Sequence, residues 1–128
     1  HLKNKGINEV SGGEAQRAFI ARALAQDTEI MLLDEPNAHL DLQHQISNFE
    51  ILCRLNKEKK YTIIMVSHDI ILSGFYSTRT ILMQNGKIFK DEKTRNVLTE
   101  DNIKLVFNVD AVIKYSPDYD SVTMKIKN

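Results

Sequence analysis

The sequence predicts an α/β fold organised on a parallel sheet, and two stretches carry that prediction. The apolar run Ile30-Met31-Leu32-Leu33 stops abruptly at Asp34-Glu35-Pro36, and a second apolar run over residues 61–66 stops at Ser67-His68-Asp69. Both have the length and the flanks of a buried strand, and a helical pattern lies between them, which is the arrangement that yields parallel neighbours. Open sheets of this kind bind their ligands beyond the carboxyl ends of the strands. Asp34, Glu35 and His68 are therefore expected at one edge, where two acids invite a metal and a polarised water.

Composition sets the limits. The chain has 128 residues, 42% of them hydrophobic, with 17 basic and 17 acidic side chains. That is one domain's worth of chain, able to bury a core, and the balanced charge gives no global field for nucleic acid or anionic lipid. The single cysteine, Cys53, cannot form an internal disulfide, which suits a reducing compartment. No apolar run is long enough to span a bilayer and no signal peptide is evident, so a soluble chain is expected.

Taken in order, residues 1–9 are polar and without periodicity, as in a loop or the frayed tail of a helix. From Ser11 a stripe of Ala15, Ala18, Phe19, Arg22 and Ala25 predicts a helix over about 12–26. Ser11 is placed as its N-cap and Glu14, three residues on, as the partner in a capping box. Two glycines at that start, Gly12 and Gly13, leave free N–H groups open at the positive end of the dipole. A helix start of that kind can receive an anion.

Asp27-Thr28 turns the chain into the strand over residues 29–33, with Asp34 at its end. Successive side chains of an extended backbone face opposite ways, so Asp34 and Glu35 should not duplicate one another. Pro36 closes the strand. Leu40 opens a second helix, with Leu42, Ile46, Phe49, Cys53 and Asn56 expected on its packed face. The cluster Lys57-Glu58-Lys59-Lys60 reads as its solvated end, with cations at the negative end of the dipole. His39 and His44 read as loop and surface residues and not as a metal pair.

After the second strand, residues 70–76 suit a short helix. Thr80-Ile81-Leu82-Met83, Asn85-Gly86 and Lys87-Ile88-Phe89 read as a hairpin on a tight primed turn. Thr99 is placed as the N-cap of a helix through about residue 108. Alternation over 111–115 and 122–126, around Ser116-Pro117-Asp118-Tyr119-Asp120, predicts a second hairpin.

Four of these stretches together resemble the ATP-binding cassette (ABC) ATPases, a class of P-loop NTPase. Val10-Ser11-Gly12-Gly13-Glu14 resembles the signature motif, usually Leu-Ser-Gly-Gly-Gln, and Leu33-Asp34-Glu35-Pro36 resembles Walker B with its catalytic glutamate. Asn37-Ala38-His39-Leu40-Asp41 is similar to the D-loop, and Val66-Ser67-His68-Asp69 to the switch-histidine loop. The resemblance implies ATP as substrate and Mg²⁺ as cofactor. Asp34 would hold the metal directly or through its water shell, Glu35 would orient and polarise the attacking water, and His68 would sense the γ-phosphate. Ser11, Gly12, Gly13, Glu14 and Asp41 are the further nucleotide-binding candidates. No G-x-x-x-x-G-K-[ST] stretch occurs in the sequence, so residues 1–128 look like the carboxyl-terminal half of such a domain, from the signature motif onward. By themselves they lack the loop that cradles phosphates and are expected to be inactive.

The subgroup is marked less sharply. The stretch from Leu98-Thr99-Glu100 to Phe107-Asn108-Val109, and Ala38-His39-Leu40-Asp41-Leu42, resemble the import ATPases for iron-siderophore, haem or cobalamin. That implies a second nucleotide-binding subunit, transmembrane permease subunits, a place on the cytoplasmic face of the membrane and no nucleic-acid partner. Translation-factor ABC proteins share the His-Leu-Asp and Ser-His-Asp stretches but lack this tail. DNA-repair and chromosome-structure ATPases of the same class join their halves by coiled coils, and no heptads precede Val10.

Overall fold

The parallel pair is present. A computed structural model describes residue 6 and residues 9–116 and 121–127, and in it β1 (Ile30–Asp34) and β2 (Thr62–Val66) run side by side. Their register pairs Ile30 with Thr62 and Asp34 with Val66, and the ladder continues one residue further through the Glu35 N–H to the Val66 carbonyl at 3.1 Å. The chain divides into two units, His1–His68 and Asp69–Asn128.

In the first unit, α1 (Gly12–Leu24) and α2 (Leu42–Lys59) supply the cover for one face of this pair. Ile20, Met31 and Leu52 are buried together, with Ala23, Leu24, Leu33, Ile51, Leu55, Ile63 and Met65 packed around them. Full burial of each such side chain stabilises the fold by about 1.5–3 kcal/mol. The start of α1 is the capping box read from sequence: Ser11 accepts from the Glu14 N–H, and the Glu14 carboxylate accepts from the Ser11 N–H at 2.9 Å. It ends at Leu24, two residues short of the expected end near 26, with Asp27 (φ 50°) turning the chain out.

Two packing expectations are corrected. The helix expected from Leu40 begins at Leu42, because Asp41 caps it by accepting from the His44 N–H. Its buried residues are Asn48, Phe49 and Leu52, whereas Leu42 is 62% exposed and Asn56 reaches back to the Tyr61 carbonyl. The side of α2 turned to the sheet is thus set by Ile51, Leu52 and Leu55 and lies away from Leu42. Nor are β1 and β2 buried on both faces. Leu32 is 72% exposed, and Ile30, Ile64 and Val66, which share its side of the pleat, are at least half exposed. Cys53 is half-buried, and desolvation pushes its thiol up, away from the reactive thiolate.

The second unit holds α3 (Ile70–Tyr76), then β3 (Arg79–Gln84) and β4 (Lys87–Lys93), α4 (Thr94–Val97), α5 (Glu100–Phe107), and β5 (Ala111–Ser116) with β6 (Ser121–Ile126). Asn85 (φ 51°) and Gly86 (φ 73°) make the primed turn that the Asn-Gly pair calls for. Arg79 clamps Asp91 across the strands with two bonds, 2.7 and 2.9 Å, and this guanidinium holds the Asp91 carboxyl below its usual range. Thr99 caps α5, and Asn108, left-handed at φ 55°, ends it. Leu98, Ile103 and Ala111 form the core here, and the Tyr115 hydroxyl donates to the Leu98 carbonyl at 3.1 Å. β4 runs directly into α4 at Lys93 and Thr94. The turn at 117–120, and residues 1–5, 7 and 8, lie outside the described residues. No helix among the described residues is long and apolar enough to cross a membrane.

Candidate functional site

Every predicted site residue belongs to the first unit. At the carboxyl end of β1, Asp34 is exposed and carries no side-chain hydrogen bond or ion pair among the described residues. Glu35 leaves the strand in a left-handed conformation, φ 44°, which a non-glycine residue holds only at a cost of about 1–3 kcal/mol. This twist, rather than simple strand alternation, separates the two acids. The Glu35 carboxylate then meets His68 from the end of β2, with Oε1 2.9 Å from the imidazole Nε2. Both side chains are open to solvent, so the pair is available to a ligand.

No group of three or more acidic, histidine or cysteine side chains gathers into a metal cage among the described residues. One exposed carboxylate is nonetheless the donor Mg²⁺ commonly takes when waters and phosphates supply its other ligands. Asp34 fits that role.

A second cluster surrounds the start of α1. Ser11 and Gly12 are exposed, while Gly13 is buried. The Ser11 hydroxyl donates to the Glu14 carboxylate at 3.0 Å, so Glu14 faces its own helix cap. Asp41 is engaged by one partner twice over: it accepts from the His44 N–H at 2.9 Å, and its two oxygens lie 2.8 and 2.9 Å from His44 Nδ1. The backbone bond first, and the imidazole second, hold the Asp41 carboxyl below its usual range. The loop between β1 and α2 is pinned further by Gln45, which donates to the Leu40 carbonyl at 3.0 Å, and by Asn48, which donates to Asn37 Oδ1 at 3.2 Å.

The structure therefore brings Glu35 to His68, and Asp41 to the helix that follows it. Sequence reasoning missed His44, read there as a surface residue. Its ring takes the space a Gly13 side chain would need: a Cβ built on Gly13 would clash with the Cδ2 edge of the imidazole, with Cγ and Nε2 both at 2.8 Å. The spacing of Asp41 and His44, N-cap and third helical position, could have signalled their pairing. Nothing in the sequence signals the contact with Gly13. A cleft of about 280 Å³ in the second unit, lined by Lys93, Thr94, Arg95 and Tyr115, contains none of the predicted residues.

Comparison with known proteins gives a consistent result. The sequence family described as ABC transporter matches residues 1–38. The iron(3+)-hydroxamate import ATP-binding protein of Bacillus subtilis (strain 168) is 45% identical over 111 residues, 87% of this chain and 41% of that protein. The ferric enterobactin transport ATP-binding protein of Escherichia coli (strain K12) is 39% identical over 117 residues, 91% of this chain and 43% of that protein. Among solved structures, an inward-facing metal-chelate type ABC transporter superposes with a TM-score of 0.86 at 28% identity, covering 99% of this chain and 50% of that one. A dimeric ATP-binding cassette in a post-hydrolysis state, bound to ADP and Pi, gives a TM-score of 0.61 at 38% identity, over 69% of this chain and 38% of that one. The chain spans about two-fifths of the length of the curated relatives it matches.

Proposed function

This chain belongs to the ATP-binding domains of ABC transporters, with their P-loop NTPase fold, and from that membership we propose that residues 1–128 are the part of such a domain running from the signature motif toward its carboxyl terminus. The complete cassette hydrolyses ATP to drive solute import, and the solute is an iron-siderophore or related metal chelate. The observation that carries this reading is the Glu35–His68 pair at the ends of two parallel strands, beside an exposed Asp34.

In the reaction, water attacks the γ-phosphorus, the bond to the ADP oxygen breaks, and the water's proton passes to a carboxylate or to the departing phosphate. Glu35 orients and polarises that water, and His68 holds the carboxylate in place and meets the γ-phosphate. Asp34 is the residue that would hold Mg²⁺, whose contribution is to neutralise charge on the phosphates. The helix start at Ser11, Gly12 and Gly13 would meet the γ-phosphate of ATP bound on a second cassette, through the exposed Gly12 amide and the Ser11 hydroxyl, and Glu14, which accepts from the Ser11 N–H, keeps that start in shape. Asp41 caps the helix after the loop that would border this phosphate.

The proposed partners are a second nucleotide-binding subunit, related by a two-fold axis, and permease subunits that hold the pair at the cytoplasmic face of the membrane. The names of the B. subtilis and E. coli relatives and the dimeric ADP-bound cassette support this reading. It is tested by reconstituting the complete protein with its permease in vesicles and measuring ATP-dependent uptake of labelled ferric hydroxamate. Turnover without uptake of any ferric chelate would overturn the assignment to import of this class.

A further inference from the structure

We propose that His44 is a positioning residue that fastens the loop over residues 37–41 to the start of the α1 helix, so that the D-loop and the signature motif move as one piece. Both signature glycines are backed from this segment. A Cβ on Gly12 would stand 3.4 Å from Leu40 Cδ2, an ordinary contact, and a Cβ on Gly13 would overlap the His44 ring. The ring cannot slide away without loss, because Asp41 holds Nδ1 with both carboxylate oxygens and is itself held by the His44 N–H. Gln45 and Asn48 tie the rest of the loop to the same two turns of α2. A shift of the loop thus carries Asp41, then the imidazole, then the backbone of Gly13.

Two consequences follow. Gly13 has to be glycine for a reason internal to the chain, whatever approaches it from outside. And a displacement at either motif is transmitted to the other through one side chain, since packed groups shift together rather than deform. The kinetic part of this inference rests on the ATPase reading above; the contact itself does not.

The test is a double-variant cycle in the complete protein, with Gly13→Ala, His44→Ala and both together. Thermal unfolding without nucleotide reads the contact. Gly13→Ala should lower the midpoint by about 5 °C, and the double variant should regain at least half of that loss. If Gly13→Ala fails to fold, recovery of folded protein in the double variant is the same result. A double variant no better than Gly13→Ala overturns the contact. Steady-state turnover reads the coupling: His44→Ala should lower kcat about tenfold with the KM for ATP within about twofold, and His44→Asn, whose amide can reach Asp41, should recover most of the loss. A kcat for His44→Ala equal to the parent's overturns the positioning role. A parent without turnover overturns the ATPase reading instead, and leaves the unfolding cycle to decide the contact.

Discussion

Glu35 Oε1 lies 2.9 Å from His68 Nε2, and through this contact the last residue pair of a parallel ladder is extended by side chains. In the proposed reaction this carboxylate is the acceptor that orients the attacking water. Replacing Glu35 by Gln keeps the shape and removes the negative charge. In the complete protein, Glu35→Gln should reduce kcat by about a hundredfold or more and leave ATP affinity within about twofold, as read by single-turnover kinetics and calorimetry. His68→Ala should show a comparable loss with ATP still bound. A Gln variant turning over near the parent rate would remove Glu35 from the catalytic role.

The same glutamate sits at a left-handed backbone position. Glycine adopts φ near 44° without steric penalty, so Glu35→Gly should raise stability by up to about 1 kcal/mol while abolishing turnover. Glu35→Val should do the reverse to stability. Denaturant unfolding of the three proteins checks both signs, and a destabilised glycine variant would mean that the carboxylate's contact with His68 outweighs the strain.

Gly12 separates approach of an external phosphate from internal packing. Its Cβ space is nearly open, unlike that of Gly13, and an acid in the first turn of α1 suits the dipole. Gly12→Asp is therefore expected to fold normally and to bind ATP as the parent does, yet to block ATP-driven dimerisation in a Glu35→Gln background by setting a carboxylate against the γ-phosphate. Light scattering with and without ATP decides it. Dimerisation that survives would show that the start of α1 does not receive the partner's nucleotide.

Asp41 links the loop to acidity. Its folded pKa is depressed, by the His44 N–H first and the imidazole second, so its contribution to stability is present above the unfolded carboxylate value of about 3.9 and is lost as pH falls through the lower folded value. The stability difference between the parent and Asp41→Asn should shrink as pH falls below about pH 4. Unfolding curves at a series of pH values measure it. A difference that grows below about pH 4 would reverse the sign and exclude the depressed pKa.

Local chemistry was legible in the sequence, and tertiary choice was not. The capping box at Ser11 and Glu14, the Asn85-Gly86 turn, the Thr99 cap and α3 were all readable, because each is decided within a few residues. The parallel pairing of β1 and β2 followed from two apolar runs with a helix between them. What the sequence hid depends on distant partners. The turn of α2 toward Leu52 rather than Leu42 is set by the sheet beneath it, and the seat of His44 on Gly13 joins residues that no local pattern connects. The twist at Glu35 was hidden too, since a glutamate after a strand gives no sign of positive φ.

The bare side of the β1–β2 pair has a meaning for the cell as well as for the fold. Leu32, Ile30, Ile64 and Val66 present adjacent apolar side chains to water, and short β-prone segments so displayed are what holdase chaperones and degradative proteases survey. A protein that shows this surface to water invites their attention.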